Sequence, residues 1–346
     1  MKILVIGPSW VGDMVMAQSL FISLKTKHPQ AIIDVLAPDW SRPILQRMPE
    51  VNRAIVMPIG HGAINLLARR EIGRSLKSAN YDQAIILPNS LKSAIIPCFA
   101  GIPKRTGWRG EMRYALLNDI RLLNKNRYPL MVQRFVALAY QPMATLPEKL
   151  PTPHLAVDQT NVLDALTRFE LNSERPILAL CPGAEFGEAK RWPANHYAEV
   201  AQHKINDGWQ VWLFGSAKDA VVTDQIQSRL SPESAQYCLN LAGETSLGDA
   251  VDLMSLASAV VTNDSGLMHI AAALDRPLVV LYGSSSPAFT PPLSKQVKIL
   301  KTSIECSPCF KRECPLGHLK CLKELPVDWV LQGLNELVTP PSITCK

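Results

Sequence analysis

Twice along this chain, short apolar runs rich in Val, Ile and Leu alternate with longer amphipathic stretches, and a proline-punctuated segment lies between the two series. A short β-branched run suits a parallel strand, and the stretch that follows suits the crossover helix a parallel connection needs. The first series opens with Lys2–Ile6 as a strand, turns at Gly7-Pro8-Ser9 and continues as a helix over Val11–Lys27; 32–36, 54–57 and 83–87 read as further strands. The second series reads as strands at Ile177–Cys181, 209–214, 258–262 and Leu278–Leu281. The expected fold class is therefore α/β, with two Rossmann-like domains.

A chain of 346 residues is too long for one ordinary core and suits two. Five X-Pro pairs between 124 and 153 mark that stretch as the linker. The expected division is 1–150, then 154–325, then a tail over 326–346 that begins with an amphipathic helix at Val327–Val338. Two such halves facing each other leave a cleft at the carboxyl ends of their strands, where open α/β sheets place ligands. The net charge of +6 suits an anionic substrate or an anionic membrane surface and falls short of a nucleic-acid binder. The opening Met1-Lys2-Ile3-Leu4-Val5-Ile6-Gly7 turns polar too soon for a signal peptide, and no run reaches the roughly 18 apolar residues that span a bilayer. A cytoplasmic protein with at most peripheral membrane contact is expected, its eight cysteines reduced or metal-bound.

Chemistry concentrates in the turns after the strands. Gly7-Pro8-Ser9-Trp10-Val11-Gly12-Asp13 is neither G-x-G-x-x-G nor a Walker A loop, which disfavours a nicotinamide dehydrogenase, yet a small-residue turn opening a helix exposes N–H groups to an anion. Asp13 reads either as a cap favoured by the helix dipole or as a catalytic carboxylate. The loop from Pro182 to Pro193 contains glycines and ends in Lys190-Arg191; it suits a diphosphate, with Lys190 neutralising a leaving phosphate, or else is a solvated basic pair before a helix. Glu244, at a strand's end, reads as a ribose ligand or as part of a helix start capped by Thr245 or Ser246. Asn263-Asp264-Ser265-Gly266 joins a strand to an alanine-rich helix, with free N–H groups for a pyrophosphate; His269 on that helix reads as a satisfied interior histidine. Lys92, Lys104, Arg105, Arg109 and Arg113, with Trp108 among them, are a solvated face or an anion-binding loop over 101–113.

Those motifs, together with Pro88-Asn89-Ser90-Leu91-Lys92-Ser93-Ala94 and Arg105-Thr106-Gly107-Trp108-Arg109-Gly110-Glu111-Met112-Arg113-Tyr114, resemble the ADP-heptose:lipopolysaccharide heptosyltransferases from residue 1 to about residue 292. Within that family the Trp10 and 105–114 stretches are similar to the enzymes that add the second heptose. The resemblance implies a GT-B fold, an ADP-heptose donor in the second half and a heptosyl-Kdo2-lipid A acceptor against the first. It implies an inverting mechanism without a catalytic metal, with Asp13 as general base and Lys190 stabilising the departing ADP. It places Glu185, Glu244, Asp264, Ser265, Gly266 and His269 with the donor, and Ser9, Trp10, Gly12, Lys92, Arg105, Arg109 and Arg113 with the acceptor, at the inner face of the cytoplasmic membrane. Val327–Val338 is then the helix that in such folds crosses back to the first domain.

Cys306-x2-Cys309-x4-Cys314-x6-Cys321 departs from the usual pattern and is compact enough to hold one structural zinc; free thiols are the other reading. Two further functions stay open from sequence: heptosyl transfer at another core step, adding heptose I or III, and a non-catalytic nucleotide-sugar-binding module that does not need Asp13.

Overall fold

The computed structural model describes residues 1–60 and 62–338. The chain forms two compact units, Met1–Ala156 with Ala288–Thr290, and Val157–Pro287 with Pro291–Lys346.

The first unit runs β1 (Lys2–Ile6), α1 (Val11–Lys27), β2 (Ile32–Ala37), α2 (Arg42–Leu45), β3 (Val51–Val56), α3 (Leu66–Ser75), β4 (Gln83–Ile86), α4 (Ile95–Phe99), β5 (Lys104–Trp108), β6 (Asp119–Arg121) and α5 (Met131–Val136). Its sheet has the order β3-β2-β1-β4-β5-β6, with the paired strands parallel. Leu4, Ile6, Ala84 and Ile86 face a core closed by Ile96, Ala100 and Ile102. Helix α1 has the expected bounds, and α5 packs on it; even Gln18, Ser19 and Ser23 of α1 are buried.

Two expectations change here. The 124–153 stretch is not all linker, because α5 and the turn after it bury Val132, Phe135, Val136 and Leu138 in the first unit. Pro129 stands just ahead of that helix, where proline is tolerated, so part of the proline signal marked a helix start. The 101–113 loop contains β5, whose Thr106, Gly107 and Trp108 are buried between β4 and β6. Mixed Gly, Arg and Trp masked that strand.

The second unit runs α6 (Gln159–Arg168), β7 (Ile177–Cys181), α7 (Ala194–Asn206), β8 (Gln210–Leu213), α8 (Ala220–Gln227), α9 (Pro232–Ala235), β9 (Cys238–Asn240), α10 (Leu247–Met254), β10 (Ala259–Asn263), α11 (Gly266–Ala273), β11 (Leu278–Leu281), β12 (Val297–Leu300), α12 (Lys320–Lys323) and α13 (Val327–Val338). Its sheet is β12-β11-β10-β7-β8-β9, again with parallel pairs. Val327, Val330 and Leu334 of α13 join Val279, Leu281 and Leu300 in the core of this unit. Packing within the second unit thus accounts for the amphipathic pattern read as a crossing helix; residues 339–346 of the expected tail lie outside the described ones. Among the described residues no helix is long and apolar enough to cross a membrane.

Each sheet is doubly wound, as expected of a GT-B protein. Strand order reverses between β1 and β4 in the first unit and between β7 and β10 in the second. At such a reversal the loops leaving adjacent strands diverge and leave a crevice at the carboxyl edge.

Candidate active site

In the second unit the reversal is flanked by the 182–192 loop after β7 and by Asp264-Ser265-Gly266 after β10. Lys190 Nζ donates to the Asp264 carboxylate at 2.6 Å, with side-chain exposures of 15% and 5%. The ammonium also lies 4.9 Å from the Phe186 ring centre. Ser265 occupies the N-cap of α11 in extended conformation and makes no side-chain cap bond; its hydroxyl lies 3.3 Å from that of Thr262. The first N–H groups of α11 are therefore not capped by Ser265, which suits an anion. His269 is buried one turn into α11, and burial pushes its pKa down to about 4, against the attraction of Asp264 and with the repulsion of Lys190. It is a neutral imidazole at the back of the site.

Glu244 is exposed in the turn after β9, and Ser246 caps α10 in a reciprocal pair with Asp249. The helix-start reading thus belongs to Ser246 and leaves Glu244 outside the helix. Glu185 is exposed and bonds Lys218 at 2.7 Å. Gly187 adopts φ +152°, and a Cβ there would meet the Arg312 carbonyl at 2.3 Å. Ala189 donates to that same carbonyl at 3.1 Å, so the loop carrying Lys190 rests on the cysteine-rich segment.

In the first unit the reversal is flanked by the β1–α1 turn and the 87–94 segment. Trp10 is the N-cap of α1, extended and 42% exposed, with Ser9 exposed beside it. Asp13 is thus the third helical residue rather than the cap, half-buried at the positive end of the helix dipole. Gly12 precedes it, and Lys92 lies half-buried in the turn after β4.

The basic residues of 105–113 separate. Arg113 is 2% exposed and donates to the carbonyls of Pro88 at 2.6 Å, Trp108 at 2.6 Å and Ser90 at 3.3 Å, and to the Ser93 hydroxyl at 3.1 Å. Burial lowers its pKa to about 10, partly offset by Glu111, and it pins the 88–93 turn to the end of β5. Arg105 lies near the amino end of β5, its guanidinium bound to the carbonyls of Leu116 at 2.7 Å and Ile102 at 2.6 Å. Both guanidinium groups are taken up by backbone carbonyls of their own unit. Arg109 is exposed beside Gly110, where a Cβ would meet the Asn89 carbonyl at 2.0 Å. Only glycine lets the Arg109 loop lie so close to the Lys92 turn.

Cys306, Cys309, Cys314 and Cys321 line one small cavity with His318 and Ser284. Among the described residues no group of three or more His, Cys, Asp or Glu is arranged to hold a metal ion. The thiols are nonetheless near enough to interact: burial and then Cys306, Cys309 and Cys314 raise the Cys321 pKa. Backbone N–H groups, Leu319 foremost, lower that of Cys314. The buried Ser284 hydroxyl has no hydrogen-bond partner. Thiols gathered around an orphaned hydroxyl, one of them stabilised as a thiolate, suit a soft cation in composition.

Residues 69–320 match glycosyltransferase family 9 (heptosyltransferase). The chain is 54% identical over 343 residues to the lipopolysaccharide heptosyltransferase 2 of Escherichia coli, covering 98% of this chain and 99% of that protein. It belongs to glycosyltransferase family 9. It is also 51% identical over 346 residues to the lipooligosaccharide heptosyltransferase 2 of Haemophilus influenzae, covering 98% and 99% respectively. The solved structure of the Escherichia coli ADP-heptose LPS heptosyltransferase II matches with a TM-score of 0.89 and 54% identity, over 98% of both chains.

The resemblance read from the motifs is borne out, and with it a glycosyltransferase. Within this family 9 enzyme, Lys190, Asp264, Ser265, Gly266 and His269 come together at one reversal point. Ser9, Trp10, Gly12, Asp13 and Lys92 flank the other. Sequence reasoning passed over Asn263, whose side chain bonds Pro182, Trp192 and Tyr197. The signal was a polar residue at the end of a buried strand.

Proposed function

We propose that this family 9 enzyme transfers L-glycero-D-manno-heptose from ADP-heptose to heptose I of the lipopolysaccharide inner core, with inversion at the anomeric carbon. The observation that carries the reading is the full-length similarity to proteins named heptosyltransferase 2. The acceptor hydroxyl oxygen attacks the anomeric carbon while the bond to the diphosphate breaks, and ADP leaves with the electron pair. Asp13, a carboxylate on the first turn of a helix, takes the hydroxyl proton. Lys190 and the N–H groups opening α11 offset the charge that grows on the departing phosphate. Glu244 holds the ribose hydroxyls.

Asp264 is bound to Lys190 before the donor arrives. The incoming diphosphate takes over the ammonium and frees the Asp264 carboxylate for heptose hydroxyls. Arg109 and Lys92, with Trp10 and Ser9, meet the anionic core of heptosyl-Kdo2-lipid A. The enzyme works in the cytoplasm, at the inner face of the cytoplasmic membrane, where its net charge of +6 favours an anionic surface. Cys306, Cys309, Cys314 and Cys321 hold a structural zinc that takes no part in the chemistry and would stiffen the segment that carries Arg312.

The test is product mass spectrometry with ADP-heptose and defined acceptors. Heptosyl-Kdo2 acceptor should gain one heptose and Kdo2 acceptor none. Gain on Kdo2 alone, or ADP-heptose binding without transfer to either, would refute the assignment.

A further inference from the structure

The loop that carries Lys190 leaves the sheet at Pro182 and returns at Trp192. An excursion of nine residues, 183–191, holds Lys190 in one place only if both of its ends are fixed. One buried side chain does this: Asn263, the last residue of β10, is fully buried. Its Nδ2 donates to the Pro182 carbonyl at 2.6 Å. Its Oδ1 accepts from the Trp192 N–H at 3.1 Å and from the Tyr197 hydroxyl at 3.1 Å. The amide therefore closes the base of the loop from both sides, donating to one end and accepting from the other. Its chain neighbour Asp264 meets the loop at Lys190.

The base is tight as well as bonded. A Cβ on Gly183 would lie 2.4 Å from the Asp219 carboxyl carbon, and Asp219 is itself held by the Ser216 N–H at 3.0 Å and by Arg191 at 3.5 Å. Trp192 is buried and tied through its indole N–H to the Leu325 carbonyl at 3.1 Å. The loop is therefore anchored on packed scaffold, and Asn263 joins the two anchors.

We infer that Asn263 is a positioning residue for glycosyl transfer, which acts through Lys190 by setting where the ammonium meets the departing diphosphate. This rests on the reading of Lys190 given above. A cation placed an ångström away from a developing charge loses much of its effect on the transition state, while ground-state binding of the remaining donor atoms suffers less. The role needs a donor and an acceptor on one short side chain. A carboxylate of the same shape keeps the acceptor for Trp192 and Tyr197 but turns a bond to Pro182 into a repulsion between oxygens.

The experiment is a double-mutant cycle on the full-length enzyme with ADP-heptose and heptosyl-Kdo2 acceptor, following kcat and donor KM, with melting temperature as a control. Asn263→Asp should lower kcat about 10-fold or more with donor KM within a few-fold of wild type. On a Lys190→Ala background it should cost almost nothing further, because a residue acting through Lys190 has nothing left to position. Tyr197→Phe, which leaves both loop bonds in place, should keep kcat within a few-fold of wild type. Should Asn263→Asp fail to fold, Asn263→Ser carries the same cycle. Wild-type kcat in the Asn263 variant, or the same loss with and without Lys190, refutes the inference and leaves Lys190 standing. A silent Lys190→Ala removes the Lys190 reading and this inference together.

Discussion

Lys190 Nζ and the Asp264 carboxylate lie 2.6 Å apart, although 74 positions separate them in the chain. Lys190 closes the loop after β7, and Asp264 follows β10. The sheet brings them together because those strands are neighbours where the strand order reverses. The pair gives each partner a counterion.

Lys190→Ala should therefore lower kcat about 100-fold, near 3 kcal/mol of transition-state stabilisation, and leave the acceptor KM unchanged. Steady-state kinetics with varied donor and acceptor check it; turnover within a few-fold of wild type removes Lys190 from the mechanism.

Asp13→Asn separates a helix-terminal role from a chemical one. Asn tolerates the first turn nearly as well as Asp, so stability should change little. An amide cannot take a proton, so kcat should drop about 100-fold or more with ADP-heptose binding retained. Calorimetric titration beside the turnover assay reads both quantities, and a variant within a few-fold of wild type ends the claim.

Arg113→Ala and Arg109→Ala should fail differently. Removing the buried Arg113 takes one donor from each of the Pro88, Ser90 and Trp108 carbonyls and leaves a cavity, and should cost about 2–4 kcal/mol of stability, seen as a fall in melting temperature. Arg105→Ala belongs to the same class. Arg109→Ala should raise the acceptor KM, with the effect shrinking at high salt, and barely move the melting temperature. A stable Arg113→Ala enzyme with a raised acceptor KM would return that arginine to the acceptor surface.

His269 sets a limit at acid pH. Its pKa is about 4 in the fold against 6.5 in the unfolded chain, so between those values the unfolded state binds more protons. Stability is intact above pH 6.5, declines as pH falls towards 4, and loses on the order of 3 kcal/mol in all from this group. His269→Gln should flatten that part of the pH–stability curve; an unchanged slope means that other groups cause the loss.

Zinc at the cysteine cluster is tested by elemental analysis of protein purified without chelator, which should give close to one zinc per chain. Chelation should then lower the melting temperature. Metal-free protein that is equally stable and active leaves Cys306, Cys309, Cys314 and Cys321 as ordinary thiols.

What the sequence determined by itself was local. Runs such as 3–6 and Ile177–Cys181 are apolar throughout because both faces of a parallel strand are buried, and Val11–Lys27 follows a turn that admits a helix; one chain shows these directly. The motif turns also stood in plain view, since their glycines and charges interrupt apolar text. Tertiary structure decided the partners. Arg105, Arg109 and Arg113 look alike as letters, and only the sheet shows that two of them serve backbone carbonyls while one faces solvent. Strand β5 and helix α5 were hidden because neighbours, rather than their own periodicity, supply their burial. Asn263 shows in the sequence only as a polar residue at a strand's end, and its role stays hidden because its three bonds reach 66, 71 and 81 positions back along the chain, and such pairings exist only once two parallel strands have been placed side by side.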